Sequence, residues 1–246
     1  MLVEAFDELC KSTTVNVLLT IDLTQNVAEE ACAQNANLIM AYHPFIFKGL
    51  KSITSNNPQQ KSLIKLIQNN ISVYCPHTAV DSAKGGVNDF LSDGIVGNFP
   101  VLNQEPIIKE NQENFPDCGM GRLITLSKPI ELSKLIDNVK QSLNLSHLQV
   151  GLARNQSLNH KIEKIAICAG SGGSVFNNVK ADLYYTGELS HHEALFFTES
   201  GSSVIITNHS NSERAFLSVI KKQLEKEVEN INVKISTTDK DPFQVY

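Results

Sequence analysis

Short apolar runs of strand length alternate with amphipathic stretches along most of the chain. The run VNVLLTID (15–22) is rich in β-branched residues, as buried strands are. The stretch QKSLIKLIQNN (60–70) places Leu63, Ile64 and Ile67 on one face, which indicates an amphipathic helix. The same reasoning predicts strands at 36–43, 71–75, 122–130, 162–170, 181–188, 202–208 and 231–237, and helices at 27–36, 84–94, 131–144, 190–200 and 212–229. Strands separated by helices at this spacing indicate an α/β fold with a large parallel component.

Capping residues predict several of the boundaries. Asn26 is the expected N-cap of the helix at 27–36, and Ser190 that of the helix at 190–200. Gly94 is the expected end of the helix at 84–94, because glycine readily adopts the left-handed conformation found after many helices. The Gly-rich segment SGGSVFNNV (171–179) is read as a turn that leads into a helix. The strand at 231–237 is expected to close the sheet of the second half.

The two halves of the chain resemble each other, which predicts one domain built from two similar α/β lobes. NLIMAYH in the first half aligns with DLYYTGE in the second. Residues 95–120 are the least regular part and contain three prolines, as a linker would. We therefore expect lobe one at about 1–100, a linker at about 101–120 and lobe two at about 121–246, with the lobes packed around a central cleft.

Histidine and carboxylate residues follow the apolar runs. His77 ends one run and Asp81 comes four residues later, while His209 ends another and Glu213 again follows after four; His43 ends a third run. Active sites in α/β sheets lie beyond the carboxyl ends of the strands, and imidazole and carboxylate groups are common ligands of divalent metals. Each histidine could equally be a hydrogen-bonded turn residue, and each pair spaced by four a surface interaction. The residues alone leave both interpretations open.

The composition and charge of the chain argue against several binding partners and cellular locations. The 246 residues are 41% hydrophobic with a net charge of −5 and no long basic run, which argues against binding to nucleic acid or to an anionic membrane. No apolar stretch approaches the ~20 residues of a membrane span, and the acidic N-terminus does not resemble a secretory signal. Five scattered cysteines without a CxxC pair predict a reducing compartment, with most of them serving as small core residues. The cytoplasm is the expected location, with nucleus and mitochondrion left open.

Two further features allow alternative interpretations. AGSGGS (169–174) follows a strand and is either a tight structural turn or a backbone cradle for an anion. His191 and His192 begin a helix beside Glu188, where they are either a surface cluster or groups that assist a nearby site.

Several motifs resemble those of the NIF-three-like family of metalloproteins, also known as the GTP cyclohydrolase 1 type 2 family. The resemblance covers almost all of residues 15–246. It is carried by LLTIDLTQNVAEEA, AYHPFIFKGLKSI, CPHTAVDSAKGGVND, AICAGSGGS, DLYYTGELSHHEA, NHSNSERAFL and the terminal DPF. It implies two similar α/β lobes with a di-metal centre between them, homohexameric assembly, and metal-dependent hydrolysis of a nucleotide-like substrate, with GTP ring opening as the reaction in the family's name. The length of the chain leaves no room for the domain that some bacterial members insert.

Carried over by position, the resemblance implies metal ligands at His43, Asp81, His209 and Glu213, with His77 close by. The family's HHP motif is here YHP, so Tyr42 replaces one expected imidazole, as in the eukaryotic branch. A neutral phenol is a poor ligand, which predicts either one weakly held metal of two or a single ion; zinc, iron, manganese and magnesium all fit the ligand set. The family's N-terminal helix and aromatic-Asp-Asn-Gly-Leu segment are missing before the first strand.

Two functions fit these observations. The first is a metal-dependent hydrolase that acts on a nucleotide or a similar heterocycle. The second is a non-catalytic metal-binding scaffold that presents protein partners, which the Tyr42 replacement also accommodates.

Overall fold

A computed structural model describes residues 1–5, 14–110, 115 and 117–243. The first elements are β1 (Val15–Thr20), α1 (Gln25–Ala33), β2 (Leu38–Ala41), α2 (Pro58–Gln68), β3 (Ser72–Tyr74), α3 (Thr78–Ser82), α4 (Val87–Val96), β4 (Val101–Glu105), β5 (Ile108–Lys109) and β6 (Gly119–Met120). They are followed by β7 (Arg122–Glu131), α5 (Leu132–Leu143), β8 (Gln149–Gly151), β9 (Lys161–Ser171), β10 (Leu183–Glu188), α6 (His191–Glu199), β11 (Ser203–Ile206), α7 (Asn211–Arg214), α8 (Leu217–Glu227) and β12 (Ile231–Ile235). The predicted α/β class is confirmed.

The chain forms two compact units. The first unit consists of Met1–His77 together with Phe216–Tyr246, and the second of Thr78–Ala215. The similarity of the predicted lobes, their limits near residues 100 and 120 and the cleft between them remain predictions.

The first unit contains a four-stranded parallel sheet in the order β12-β1-β2-β3. Its core includes Leu18, Ile39 and Val73 from the strands and Val27 and Leu66 from α1 and α2, all at most 1% exposed. Because the sheet is parallel, the carboxyl ends of β1, β2 and β3 lie along the same edge.

The position of β12 corrects one expectation. The strand does not close the sheet of the second half but pairs in parallel with β1, with Val15 opposite Ile231. Val233 of this strand is 1% exposed, so the pairing buries an apolar side chain in the first unit. Sequence order gives no hint of such a pairing between the two ends of the chain.

The second unit contains a six-stranded mixed sheet in the order β4-β7-β9-β10-β11-β8. The three strands β9, β10 and β11 are parallel, whereas β4, β7 and β8 are antiparallel to their neighbours. β5 and β6 form a separate two-stranded sheet. The three parallel strands bring the residues that follow them to one edge of this unit.

Several helix boundaries differ from the predictions. α1 starts two residues earlier than expected, and its N-cap is Thr24, whose hydroxyl accepts a hydrogen bond from the Val27 amide. α4 continues through Gly94 to Val96, and its C-cap is Gly97, whose φ of +56° favours glycine. A Cβ on Gly94 would lie 2.6 Å from Ser142 Oγ, so this glycine allows α4 and α5 to pack closely.

Two predicted helices are also corrected. The segment after SGGS forms successive turns rather than a helix. The long helix predicted at 212–229 is two helices, α7 and α8. In contrast, Ser190 caps α6 as predicted, in a capping box with Glu193.

Among the described residues, the four cysteines are free thiols and only Cys168 is buried; Cys10 lies outside these residues. Cys168 is therefore a core residue, as predicted for most of the cysteines, whereas Cys32, Cys75 and Cys118 are half-buried. No helix within the described ranges is both long enough and apolar enough to cross a bilayer.

Glu30 connects α1 to the residues that follow β12. Its carboxylate accepts hydrogen bonds from the Ser236 hydroxyl (2.6 Å), from the Thr237 amide (3.0 Å) and from the Thr238 hydroxyl (2.8 Å). Burial raises the pKa of Glu30, but these hydrogen bonds outweigh it and lower the pKa from 4.5 to about 2. The folded state therefore favours the ionised carboxylate.

Replacing Glu30 with Gln is expected to lower the free energy of unfolding by about 1–2 kcal/mol at pH 7. Because the folded pKa is depressed, this contribution is complete above the unfolded pKa near 4.5 and disappears as the pH falls through about 2. Urea unfolding of both proteins between pH 7 and pH 2 measures it. Glu29→Gln, on the exposed side of α1, is the matched control and should change stability less. A penalty for Glu30→Gln that does not depend on pH would contradict the argument.

Candidate metal centre

The edge where β9, β10 and β11 end carries the polar residues of the second unit. Gly170 lies near the end of β9, Glu188 is the last residue of β10, and His209 follows β11. Glu213 lies in the short helix α7, which begins two residues after His209. The parallel arrangement thus gathers side chains that are far apart in the sequence.

His209 and Glu213 form a candidate His/Glu metal site. His209 Nε2 lies 3.5 Å from Glu213 Oε1, and its other ring nitrogen, Nδ1, lies 2.9 Å from Glu188 Oε1. The Glu213 side chain is 4% exposed, whereas the His209 ring is 38% exposed. The pair therefore combines a buried carboxylate with an imidazole that solvent can reach.

Gly170 leaves open the space next to these two ligand atoms. Its φ is +62°, a conformation that other residues rarely adopt. A Cβ at this position would lie 2.9 Å from Glu213 Oε1 and 3.0 Å from His209 Nε2. The glycine of the AGSGGS segment thus keeps a side chain away from the atoms that would hold an ion.

Asp81 is a second buried carboxylate of this unit. It lies in α3 and is 8% exposed. Burial raises the pKa of the Cys168 thiol, and the negative charges of Asp81 and Glu213 raise it further, to about 12. Both acids therefore act on the same thiol in β9. Asn88 connects the same elements, since its side chain donates to the Asp81 carbonyl and accepts from the Ala169 amide, both at 2.9 Å.

The first unit has its own group of polar and aromatic residues at the carboxyl edge of its sheet. His43 follows β2, and its Nδ1 lies 2.9 Å from Oδ1 of Asp22, which follows β1. His77 follows β3, with a φ of +36°, and its ring centroid lies 5.8 Å from that of His43. Tyr42 is 1% exposed, and its ring contacts His43 edge-on at 5.5 Å.

His43 and His209 share one feature that suits metal binding. Each has a carboxylate at Nδ1, which holds a proton there and leaves Nε2 as the atom available to a ligand. Histidines that bind metals usually have such a carboxylate or carbonyl partner on the second nitrogen. Within the second unit, the His209 imidazole and the buried Glu213 carboxylate are donor types that fit a divalent ion.

Asp22 and Glu188 were not predicted as partners of these histidines. Each is the last residue of a predicted strand, so strand-end position was the signal that could have revealed them. His191 and His192 lie exposed at the start of α6, with ring centroids 5.3 Å apart. Their assisting role, like the assignment of ligands to His43, Asp81, His209 and Glu213, remains a prediction.

The comparisons with known proteins identify the family. Residues 8–242 match the family model described as Duf34/NIF3 (NGG1p interacting factor 3). The chain belongs to the NIF3 family. Its members include the NGG1-interacting factor 3 of Saccharomyces cerevisiae, which is 47% identical over 234 residues, covering 93% of this chain and 81% of the yeast protein. The human NIF3-like protein 1 is 32% identical, covering 94% of this chain and 83% of its own length. The chain is a NIF3 protein of the eukaryotic type.

Two solved bacterial structures share this fold. A Staphylococcus aureus protein, SA1388, matches with a TM-score of 0.78 and 25% identity, covering 99% of this chain and 91% of its own. A Bacillus cereus protein related to NIF3 matches with a TM-score of 0.77 and 23% identity, covering 96% of this chain and 90% of its own. The α/β fold expected from the resemblance is therefore that of the NIF3 superfamily.

Proposed function

We propose that the protein binds one or two divalent metal ions through His43, Asp81, His209 and Glu213 and hydrolyses a nucleotide-like substrate. The observation that carries the proposal is the paired geometry of His43 and His209, each oriented by a carboxylate at Nδ1. Membership of the NIF3 family supports the combination of these residues in one site.

The residues have separate tasks in this proposal. Glu188 and Asp22 hold protons on Nδ1 of His209 and His43, so that both rings present Nε2. A bound divalent ion supplies Lewis-acid chemistry, which activates a water and polarises a substrate oxygen or imine. We assign the proton transfers to His77, which is partly exposed, or to a carboxylate that does not hold the ion. Tyr42 is buried and holds the His43 ring in place by its edge-on contact.

Glu188→Gln is expected to weaken metal binding by about 10–100-fold, because the amide cannot fix the His209 tautomer as a carboxylate does. Isothermal titration with Zn²⁺ and Mn²⁺ measures the change. Glu199→Gln, at the exposed end of α6, is the matched control and should bind as the wild type does. Unchanged affinity in Glu188→Gln would show that this carboxylate does not orient a ligand.

Hydrolysis is tested with GTP and a panel of other nucleotides. Wild-type protein is stripped with a chelator, reloaded with one metal at a time, and assayed by chromatography for ring-opened or dephosphorylated products. Turnover by the loaded protein that the stripped protein lacks supports the hydrolase. Absence of turnover with every metal would exclude hydrolysis of these nucleotides and favour the alternative function.

The alternative is a non-catalytic scaffold that binds metal and presents protein partners. It is favoured by Tyr42, a phenol where the family motif has an imidazole, and by the yeast relative, whose name describes an interacting factor. We further propose homohexameric assembly on the basis of the family resemblance and a cytoplasmic location on the basis of the scattered cysteines. Sedimentation velocity of the purified protein distinguishes a hexamer from a monomer.

A further inference from the structure

A groove of about 1090 Å³ lies entirely within the second unit. Its walls are formed by residues 173–182, by α6 and by the turn at 200–202. None of the proposed metal ligands and neither of their carboxylate partners lines it. Its volume is slightly larger than that of most small-molecule sites, and the proposed metal chemistry does not use it.

One wall of the groove is a ladder of aromatic rings. Tyr184 and Phe197 stack with centroids 4.0 Å apart, and Phe176 meets both of them. Phe196 contacts Phe197 at 5.7 Å and forms the outer end of the ladder, where it is 66% exposed. An exposed ring that packs on one member of a buried cluster of three rings is a platform on which a planar ligand can stack.

Two lysines and two carboxylates line the groove, so their formal charges balance, and their local partners decide which of them can pair with a ligand. Lys164 and Lys180 are exposed, and within the described residues neither ammonium group has an ion-pair partner. The carboxylate of Asp182 already accepts hydrogen bonds from the amides of Glu163 (2.9 Å) and Lys164 (2.8 Å). The carboxylate of Glu193 is held by the Ser190 amide at 2.7 Å in the capping box. Both acids are thus engaged with the backbone, while both lysines remain available.

The walls are also held in place before a ligand arrives. The Tyr184 hydroxyl donates to the Val179 carbonyl at 2.6 Å, and the Ser202 hydroxyl donates to the Ala181 carbonyl at 2.7 Å. The Ser202 amide donates to the Phe197 carbonyl at 3.0 Å. A preformed site loses little conformational entropy when a ligand binds.

We propose that this groove binds a small planar aromatic anion, with its ring stacked on Phe196 and its carboxylate or phosphate paired with Lys164 and Lys180. The aromatic ladder accounts for the planar part of the ligand, and the two available lysines account for its negative charge. The ligand class is defined by these contacts alone and does not depend on whether the protein is a hydrolase.

Two pairs of probes test the proposal and separate the sources of the anion. Anthranilate and AMP carry a carboxylate and a phosphate on a planar system, and anthranilamide and adenosine are their neutral counterparts. We expect at least one anion to bind about tenfold more tightly than its neutral counterpart in fluorescence or calorimetric titrations of metal-free full-length protein. Equal binding of each pair, or no binding of either anion, would overturn the proposal.

Variants locate the binding. Phe196→Ala is expected to weaken binding of the anion about tenfold, because it removes the exposed stacking ring. The double variant Lys164→Gln/Lys180→Gln should weaken binding of the anion by a similar factor and leave the affinity for its neutral counterpart unchanged. Phe47→Ala and Lys128→Gln, both at exposed positions outside the groove, are matched controls. All altered side chains are exposed, so circular dichroism should show unchanged folding.

Sedimentation of the same variants provides a further check. If Phe196→Ala shifts the protein to a smaller assembly, the groove is a contact between copies of the chain and the proposal is wrong. Binding of anthranilate and AMP that survives both groove variants would overturn it as well.

Discussion

The double variant His209→Ala/Glu213→Ala is expected to lose more than about a hundredfold in affinity for divalent metal. Substitutions that only orient a ligand cost about 10–100-fold, and this variant removes two of the proposed ligands themselves. It eliminates the Nε2 and Oε1 atoms that lie 3.5 Å apart beside Gly170. Elemental analysis after purification, followed by calorimetric titration of stripped protein, measures the loss.

The stability of the metal-free protein provides a second readout. Glu213 is a buried carboxylate, and both Glu213 and Asp81 place negative charge near Cys168. Removing a buried carboxylate also removes the cost of burying its charge, so we expect the metal-free variant to unfold within about 1 kcal/mol of the wild type or to be more stable. Added metal should raise the melting temperature of the wild type and not that of the variant.

A control variant shows whether any loss of metal is specific to this site. It removes the same two residue types from elsewhere in the unit. His147→Ala/Glu163→Ala removes an exposed imidazole and an exposed carboxylate from the same unit and should retain wild-type metal content. Equal metal content in wild type and His209→Ala/Glu213→Ala would disprove the assignment of both ligands.

The hydrophobic pattern was sufficient to locate the strands whose ends carry the candidate ligands. β2, β3 and β11 are short and apolar, and the residues after them bend away from the sheet, so His43, His77 and His209 could be placed at strand ends from the sequence. Parallel pairing then brings the strand ends of each unit to one edge. The sequence predicts these strand ends well because a buried strand is a short run of apolar residues.

The carboxylate partners of these histidines are much harder to predict from the sequence. Asp22 and Glu188 bond to residues 21 positions away, and a single carboxylate after a strand is compatible with many roles. The position of β12 was equally hidden, since its pairing with β1 joins residues at opposite ends of the chain. The turns after Gly170 were read as a helix start because glycine-rich segments often precede helices, whereas here they form one wall of the groove.

The sequence pattern predicts Arg122 only as the first residue of a strand, yet its guanidinium makes five hydrogen bonds within the second unit. It is 2% exposed, and its Nε and Nη2 contact the two oxygens of Asp89 in α4 at 2.5 and 3.1 Å. Its guanidinium also donates to the carbonyls of Gly119 and Gly121 at 2.7 Å and of Ala83 at 3.1 Å. One side chain thereby joins the start of β7 to the α3–α4 segment.

Arg122→Met is expected to lower the free energy of unfolding by about 3–5 kcal/mol, because it leaves the Asp89 charge and several carbonyls without their donor. Asp89 would retain hydrogen bonds from the Gly85 amide at 2.6 Å and from the Gln104 side chain at 2.8 Å, which keeps the loss at the lower end of this range. Urea unfolding followed by circular dichroism measures the change. It should persist at high salt, since a buried pair is screened much less than a surface pair.

The double variant Arg122→Met/Asp89→Leu tests the cause of that loss. If the unpaired charge dominates, removing Asp89 as well should recover part of the stability, because a buried ion pair is often replaceable by apolar residues at little cost. Lys161→Met breaks an exposed pair with Glu131, whose N–O distance is 2.9 Å, and should cost less than about 1 kcal/mol. A loss in Arg122→Met no larger than that in Lys161→Met would mean that the guanidinium bonds do not hold this part of the second unit together.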